Sequence, residues 1–200
     1  LGVLIGSVIG SISAEVTPMT AMPEMVALFN GFGGLASLCV AWVAYDYQPR
    51  LDFITAVTVF LTVLIGGVTF TGSAVAWGKL SGKIRAKPIL FSHQQVLNSV
   101  ILLILLFGGA LYSLHPDLNY ALFLIIVFLS LVLGVLAVIP IGGADMPVII
   151  SLLNSYSGMA ACASGFVMNN TILIVAGALV GASGIILTRI MCKAMNRSLA

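Results

Sequence analysis

The chain has 200 residues, of which 60% are hydrophobic and only 7% charged, with mean hydropathy +1.20 and a formal net charge of +2. An ordinary soluble domain carries roughly 25% charged residues, so the composition excludes a water-soluble fold, and with it soluble enzymes and nucleic-acid binders. The apolar runs are continuous, which excludes the short alternating strands of a β-barrel, and they recur too often to be one cleaved signal peptide.

In chain order, the spacing predicts apolar helices over 1–13, 20–45, 52–77, 95–114, 119–140, 146–168 and 171–193. A helix needs about 20 residues to cross the hydrocarbon core, so every helix except the first is long enough. The fold class is all-α: a polytopic transmembrane helix bundle of about seven spans, the first truncated, forming one transmembrane domain over 1–200. The chain opens inside an apolar run with neither an initiator Met nor a charged flank, and is read as a piece of a longer protein. The linkers are brief: 13–18, 46–52, 79–88, 115–117, 141–145 and 169–170. None could hold a second domain. Cys39, Cys162 and Cys192 lie in apolar stretches without CxxC spacing and are expected to be buried free thiols.

Lys and Arg near span ends are retained on the cytoplasmic side. With the linkers alternating sides, one face carries only Arg50, whereas the other carries Lys79, Lys83, Arg85, Lys87, Arg189, Lys193 and Arg197. The carboxyl terminus is therefore expected on the cytoplasmic side of a bacterial inner membrane, or on the matrix side if the membrane is mitochondrial.

The chain also aligns with itself. Residues Met22 to Ala36 match Met146 to Ala160 without gaps, with Met, Pro, Leu, Asn, an aromatic, Gly and Ala in register. Both copies enter from the basic face, so the repeat is parallel.

Asn30 and Asn154 each lie seven positions after a proline suited to a first helical turn. At 1.5 Å rise per residue both amides sit roughly 10 Å below the basic face. Either could be interhelical glue, but two at one depth, with Ser151, Ser155, Tyr156, Ser157 and Ser164 nearby, point to a polar, hydrated proton path. Asn does not titrate, so it can hold a proton wire without being the proton-binding group. Asp145 precedes the sixth span and Glu24 opens the second. Each carboxylate is suited either to capping its helix or to gating the mouth of the path. His93 and His115 fall at span ends as flank residues. No Asp, Glu, His, Lys or Arg sits deep in a complete span, although proton relays through membranes use such groups. The path is thus expected to be incomplete in this chain alone. Gly177, Gly181 and Gly184, with Ala178, Ala182 and Ser183, make a small-residue face for close helix approach. The run Asn30 to Gly34 lies inside an apolar helix, so it is no dinucleotide fingerprint. No nucleotide site, metal site or nucleophile constellation is expected.

The strings Gly142-Gly143-Ala144-Asp145-Met146-Pro147-Val148, Leu153-Asn154-Ser155-Tyr156-Ser157-Gly158, Val68-Thr69-Phe70-Thr71-Gly72-Ser73, Met22-Pro23-Glu24-Met25-Val26-Ala27-Leu28-Phe29-Asn30-Gly31 and Met191-Cys192-Lys193-Ala194-Met195-Asn196-Arg197-Ser198 closely resemble the beta-subunit membrane region of proton-translocating nicotinamide nucleotide transhydrogenases. The resemblance covers essentially the whole chain. It implies the family's membrane domain II, coupling proton passage to hydride transfer between NADH and NADP⁺. It implies no cofactor in this chain. NADP(H) would be held by a domain following the Ala-Met-Asn-Arg motif, and NAD(H) by a domain of the alpha part, which also brings transmembrane helices. The complete enzyme would be a homodimer, and the isolated chain would not catalyse hydride transfer. By motif, Asp145 resembles the mouth aspartate that communicates with the NADP(H) domain and Asn154 resembles the channel asparagine. Ser183, Gly184 and Arg197 lie on the path from the final helix to that domain. Asn30 stands where some members carry a protonatable histidine, so a histidine on a partner helix is expected to serve instead. A free-standing secondary transporter or channel is the alternative reading of the same helices, and a structural anchor is the blandest.

Overall fold

The computed structural model describes residues 1–47, 52–114 and 120–196. Arg50, His115 and Arg197 lie outside the described residues. Seven α-helices follow in order: α1 Gly2–Val16, α2 Met22–Tyr47, α3 Phe53–Leu80, α4 Gln94–Leu114, α5 Tyr120–Val138, α6 Met146–Val167 and α7 Thr171–Ala194. Among the described residues, α2 to α7 are long and apolar enough to cross a membrane. With 15 residues, α1 reaches only about 22 Å, and none of its residues is buried. The expected all-α, multi-pass architecture is what the chain adopts, and α1, as described, is too short to cross.

Helix ends follow local chemistry. Asn169 has φ 52° and ends α6 in the left-handed conformation that Asn tolerates. Asn170 then accepts a hydrogen bond from the Leu173 amide at 3.1 Å and caps α7. Met168 and the two asparagines thus make the whole turn between α6 and α7. Asn170→Ala should cost about 1 kcal/mol of stability, visible as a lower melting temperature of the purified protein; an unchanged melt would show the cap is idle.

Helix α3 is the centre, packing against α2, α4, α5 and α6, while α6 and α7 form the most extensive pair. In lipid there is no hydrophobic drive between helices, so close backbone approach carries the packing. A Cβ on Gly34 would lie 2.8 Å from the Gly66 carbonyl oxygen, joining α2 to α3. A Cβ on Gly184 would lie 2.9 Å from the Ser155 amide, joining α7 to α6. Gly158, which aligns with Gly34 in the repeat, occupies the same place in its hairpin: a Cβ there would lie 2.9 Å from the Gly177 carbonyl oxygen. Both copies also begin with a short 3-10 turn, Met19–Ala21 and Gly143–Asp145, directly ahead of their Met-Pro pair. The expected repeat is therefore present in three dimensions as two glycine-closed hairpins.

The two ends of the bundle differ. At one end Trp42, Tyr45, Tyr112, Tyr120 and Phe123 stack together, Tyr45 lying 4.4 Å from Phe123. Such rings suit the interface between lipid and water. At the other end Lys83 sits 4.1 Å over the Trp77 ring and the basic connector crosses the α5–α6 turn, with the Gly143 amide donating to Ala86 at 2.8 Å.

Two expectations are corrected. Cys39 is exposed, Cys162 half-buried and only Cys192 buried, because Cys39 falls on the outward face of α2. On α7, Gly177, Gly181 and Gly184 are buried against α6, but Ala178, Ala182 and Ser183 are exposed, since spacings of four and three residues keep only the glycines on one face.

Candidate functional site

Three helices present residues at i, i+3, i+4 and i+7, the spacing of one helical face, to a single groove. Val26, Phe29, Asn30 and Gly33 come from α2, Asn154, Ser157, Gly158 and Ala161 from α6, and Leu173, Ala176, Gly177 and Val180 from α7. The groove encloses about 510 Å³ and opens on the side of the bundle. The two asparagines predicted at one depth therefore share one surface. Asn30 donates from Nδ2 to the Ser73 hydroxyl on α3 at 2.9 Å, and the Ser157 hydroxyl lies 3.5 Å from the Asn30 carbonyl. Asn154 is exposed on the groove wall.

Ser151 and Ser155, placed beside the asparagines by sequence, point elsewhere. Ser155 donates to the Gly181 carbonyl at 2.7 Å and Ser151 to that of Gly184 at 3.3 Å. Thr188 donates to the Gly184 carbonyl at 2.8 Å and lies 3.1 Å from the Ser151 hydroxyl. These hydroxyls clamp α6 to α7 along the glycine face. Tyr156 faces a third direction, a cavity of about 390 Å³ shared with Asn98, whose Oδ1 is buried without a hydrogen bond among the described residues. Consecutive residues on a helix turn by about 100°, which separates Asn154, Ser155 and Tyr156 onto three faces.

Two further predicted residues sit at the basic end. Asp145 is half-buried at the start of α6, and its side chain makes no capping hydrogen bond. The capping role considered for it therefore lacks its defining contact. Glu24 is half-buried in the first turn of α2 and lines a cavity of about 500 Å³ with Thr17, Pro18 and Trp77. Ser183 is exposed and bonds back to the Val180 carbonyl of its own helix at 3.1 Å.

The family model of the NAD(P) transhydrogenase beta subunit matches residues 1–200. The chain belongs to the NAD(P) transhydrogenase beta-subunit family. The NAD(P) transhydrogenase subunit beta of Rhodospirillum rubrum is 42% identical over 207 residues, covering 100% of this chain and 44% of that protein. A counterpart from a named strain of the same organism matches equally. The chain spans less than half the length of these beta subunits.

In this beta-subunit chain, sequence reasoning missed Lys79. The sequence groups Lys79 with the basic connector 79–88, but the residue is 2% exposed. Its ammonium donates to the carbonyls of Ile139 and Ile141, the latter at 2.6 Å. The signal was available: Lys79 lies within the apolar helical pattern of α3, two residues after Trp77, and a lysine there must find acceptors. Among the described residues no cluster of His, Cys, Asp or Glu could hold a metal ion.

Proposed function

We propose that this chain is the proton-conducting membrane part of a transhydrogenase. In this role it couples proton passage to hydride transfer between NADH and NADP⁺ in soluble domains outside residues 1–200. The observation that carries the reading is the sharing of one laterally open groove by Asn30 and Asn154. An exposed carboxamide within a membrane span is costly unless polar groups or water meet it. Asn154 therefore calls for a partner surface, and the open side of the groove suits transmembrane helices of the alpha part. Those helices would supply a protonatable group deep in the membrane, where the sequence of this chain places none within a complete span, with an NADP(H)-binding domain beyond α7 and an NAD(H)-binding domain on the alpha part.

In the working cycle, Asn30 is held by Ser73 on α3, and Asn154 lines the same groove. Proton arrival changes which groups these amides bond. Movement of α6 reaches α7 through Ser151, Ser155 and the Gly184 contact, and reaches the mouth at Asp145, where α6 begins. Coupling between two sites is reciprocal, so NADP(H) binding alters proton affinity in turn. The mouth is on the cytoplasmic face in a bacterial inner membrane, as the crowd of Lys and Arg at that end argues.

In the intact enzyme, Asp145→Asn tests this reading. Asn keeps the size of Asp and a side-chain acceptor, so assembly should be retained, while NADP(H) affinity and proton-coupled turnover should shift about fivefold or more, the usual scale of a coupling free energy. Normal affinity together with normal turnover would remove Asp145 from the coupling path.

A further inference from the structure

We propose that Lys79 is a positioning residue that makes the Asp145 mouth move with α3, and so with the groove. The inference rests on the transhydrogenase reading and adds the connection between its two ends. Lys79 is buried at the end of α3, and its ammonium, a donor of three hydrogen bonds, holds the carbonyls of Ile139 and Ile141 in the segment between α5 and Asp145. The carbonyls at a helix carboxyl end lack intrahelical partners and carry the negative end of its dipole, so a cation is the complementary group there. Two further bonds tie the same segment, the Ile89 amide donating to the Ile139 carbonyl at 3.4 Å and the Gly143 amide to Ala86 at 2.8 Å, while Gln94 holds the end of α5 through the Leu136 carbonyl at 3.0 Å.

Less than two turns earlier on α3, Ser73 accepts from Asn30 at 2.9 Å. The interval from Ser73 to Lys79 is unbroken helix without proline, so it transmits a displacement instead of absorbing it. A change in the Asn30–Ser73 bond at the groove thus reaches residues 139–145 through one rigid element with polar contacts at both ends. Stability alone does not call for a lysine there, because an apolar side chain of similar length would fill the site without desolvating a charge.

The experiment uses the intact enzyme in liposomes, as wild type and as Lys79→Met, Lys79→Gln and Lys79→Arg. Protons moved per hydride transferred and NADP(H) affinity are measured on assembled protein. Lys79→Met should assemble, lower the proton-to-hydride ratio and shift NADP(H) affinity about tenfold, within the range of site-to-site coupling. Lys79→Arg, which keeps the cation and its donors, should restore both. A normal ratio and affinity in Lys79→Met would overturn the proposal. If Lys79→Met fails to assemble, Lys79→Gln decides, and failure of both would make Lys79 a folding residue and equally overturn it. Absence of proton movement in the wild type would sink the transhydrogenase reading itself.

Discussion

Asn154→Leu should lower proton-coupled hydride transfer by about tenfold or more, within the range for a coupling interaction, while leaving insertion and helix content unchanged. The asymmetry follows from where Asn154 sits. It is exposed on the groove, whereas the Ser151 and Ser155 hydroxyls that clamp α6 to α7 lie on a different face of α6. Leucine is a better helix former than asparagine and meets lipid without cost, so stability should not fall. The measurement is turnover with and without an uncoupler, beside circular dichroism of the same preparation. Turnover equal to wild type would take Asn154 out of the proton path and leave the groove as a packing surface.

Gly158→Leu should have the opposite signature: loss of assembled protein, with no selective effect on coupling. A Cβ at this position would meet the Gly181 amide and the Gly177 carbonyl oxygen, both backbone atoms that no rotamer change can move. Overpacking costs typically 1–3 kcal/mol where side chains can shift, and here α6 and α7 must separate, so the upper end of that range or beyond is expected. Gly33→Ala is the control, because its Cβ would find only the Ser157 hydroxyl, at 3.4 Å. Melting temperatures of the two variants in detergent, set against wild type, check the contrast. A Gly158→Leu protein that melts with wild type would mean that the glycine face does not set the α6–α7 distance.

Much of this architecture is legible in the sequence because lipid allows so few backbone solutions. The run of apolar residues from Phe53 onward has to be a helix if every amide is to be satisfied internally, although it runs on to Leu80, past the predicted end at 77, because Lys79 reads as part of the basic connector. The shared depth of Asn30 and Asn154 is also linear information, since each is counted from a proline. What the sequence conceals is rotation. Ser151, Ser155 and Tyr156 are near Asn154 along the chain, and only the packing of α7 on one side and of α3 and α4 on another shows that they belong to different surfaces. Lys79 is obscured for a similar reason. A lysine at a span end reads as a solvated anchor, and its burial depends on the α5–α6 segment, distant in sequence, arriving over it with the Ile139 and Ile141 carbonyls.

The repeat joins these observations. Asn30 with Gly34, and Asn154 with Gly158, place one amide and one helix-closing glycine at matched positions of two parallel hairpins. The amides face a common groove because α2 and α6 themselves pack together. The same four-residue interval that builds the fold thus also builds the site.

The central claim is tested most directly by the internal pH of liposomes holding the intact enzyme, followed while NADPH and an NAD⁺ analogue are added, with and without an uncoupler. A pH change that tracks hydride transfer and collapses with the uncoupler is the predicted result. Hydride transfer with no pH change, in vesicles where insertion and subunit content have been verified, would contradict the account and favour a chain that anchors its soluble domains without conducting protons.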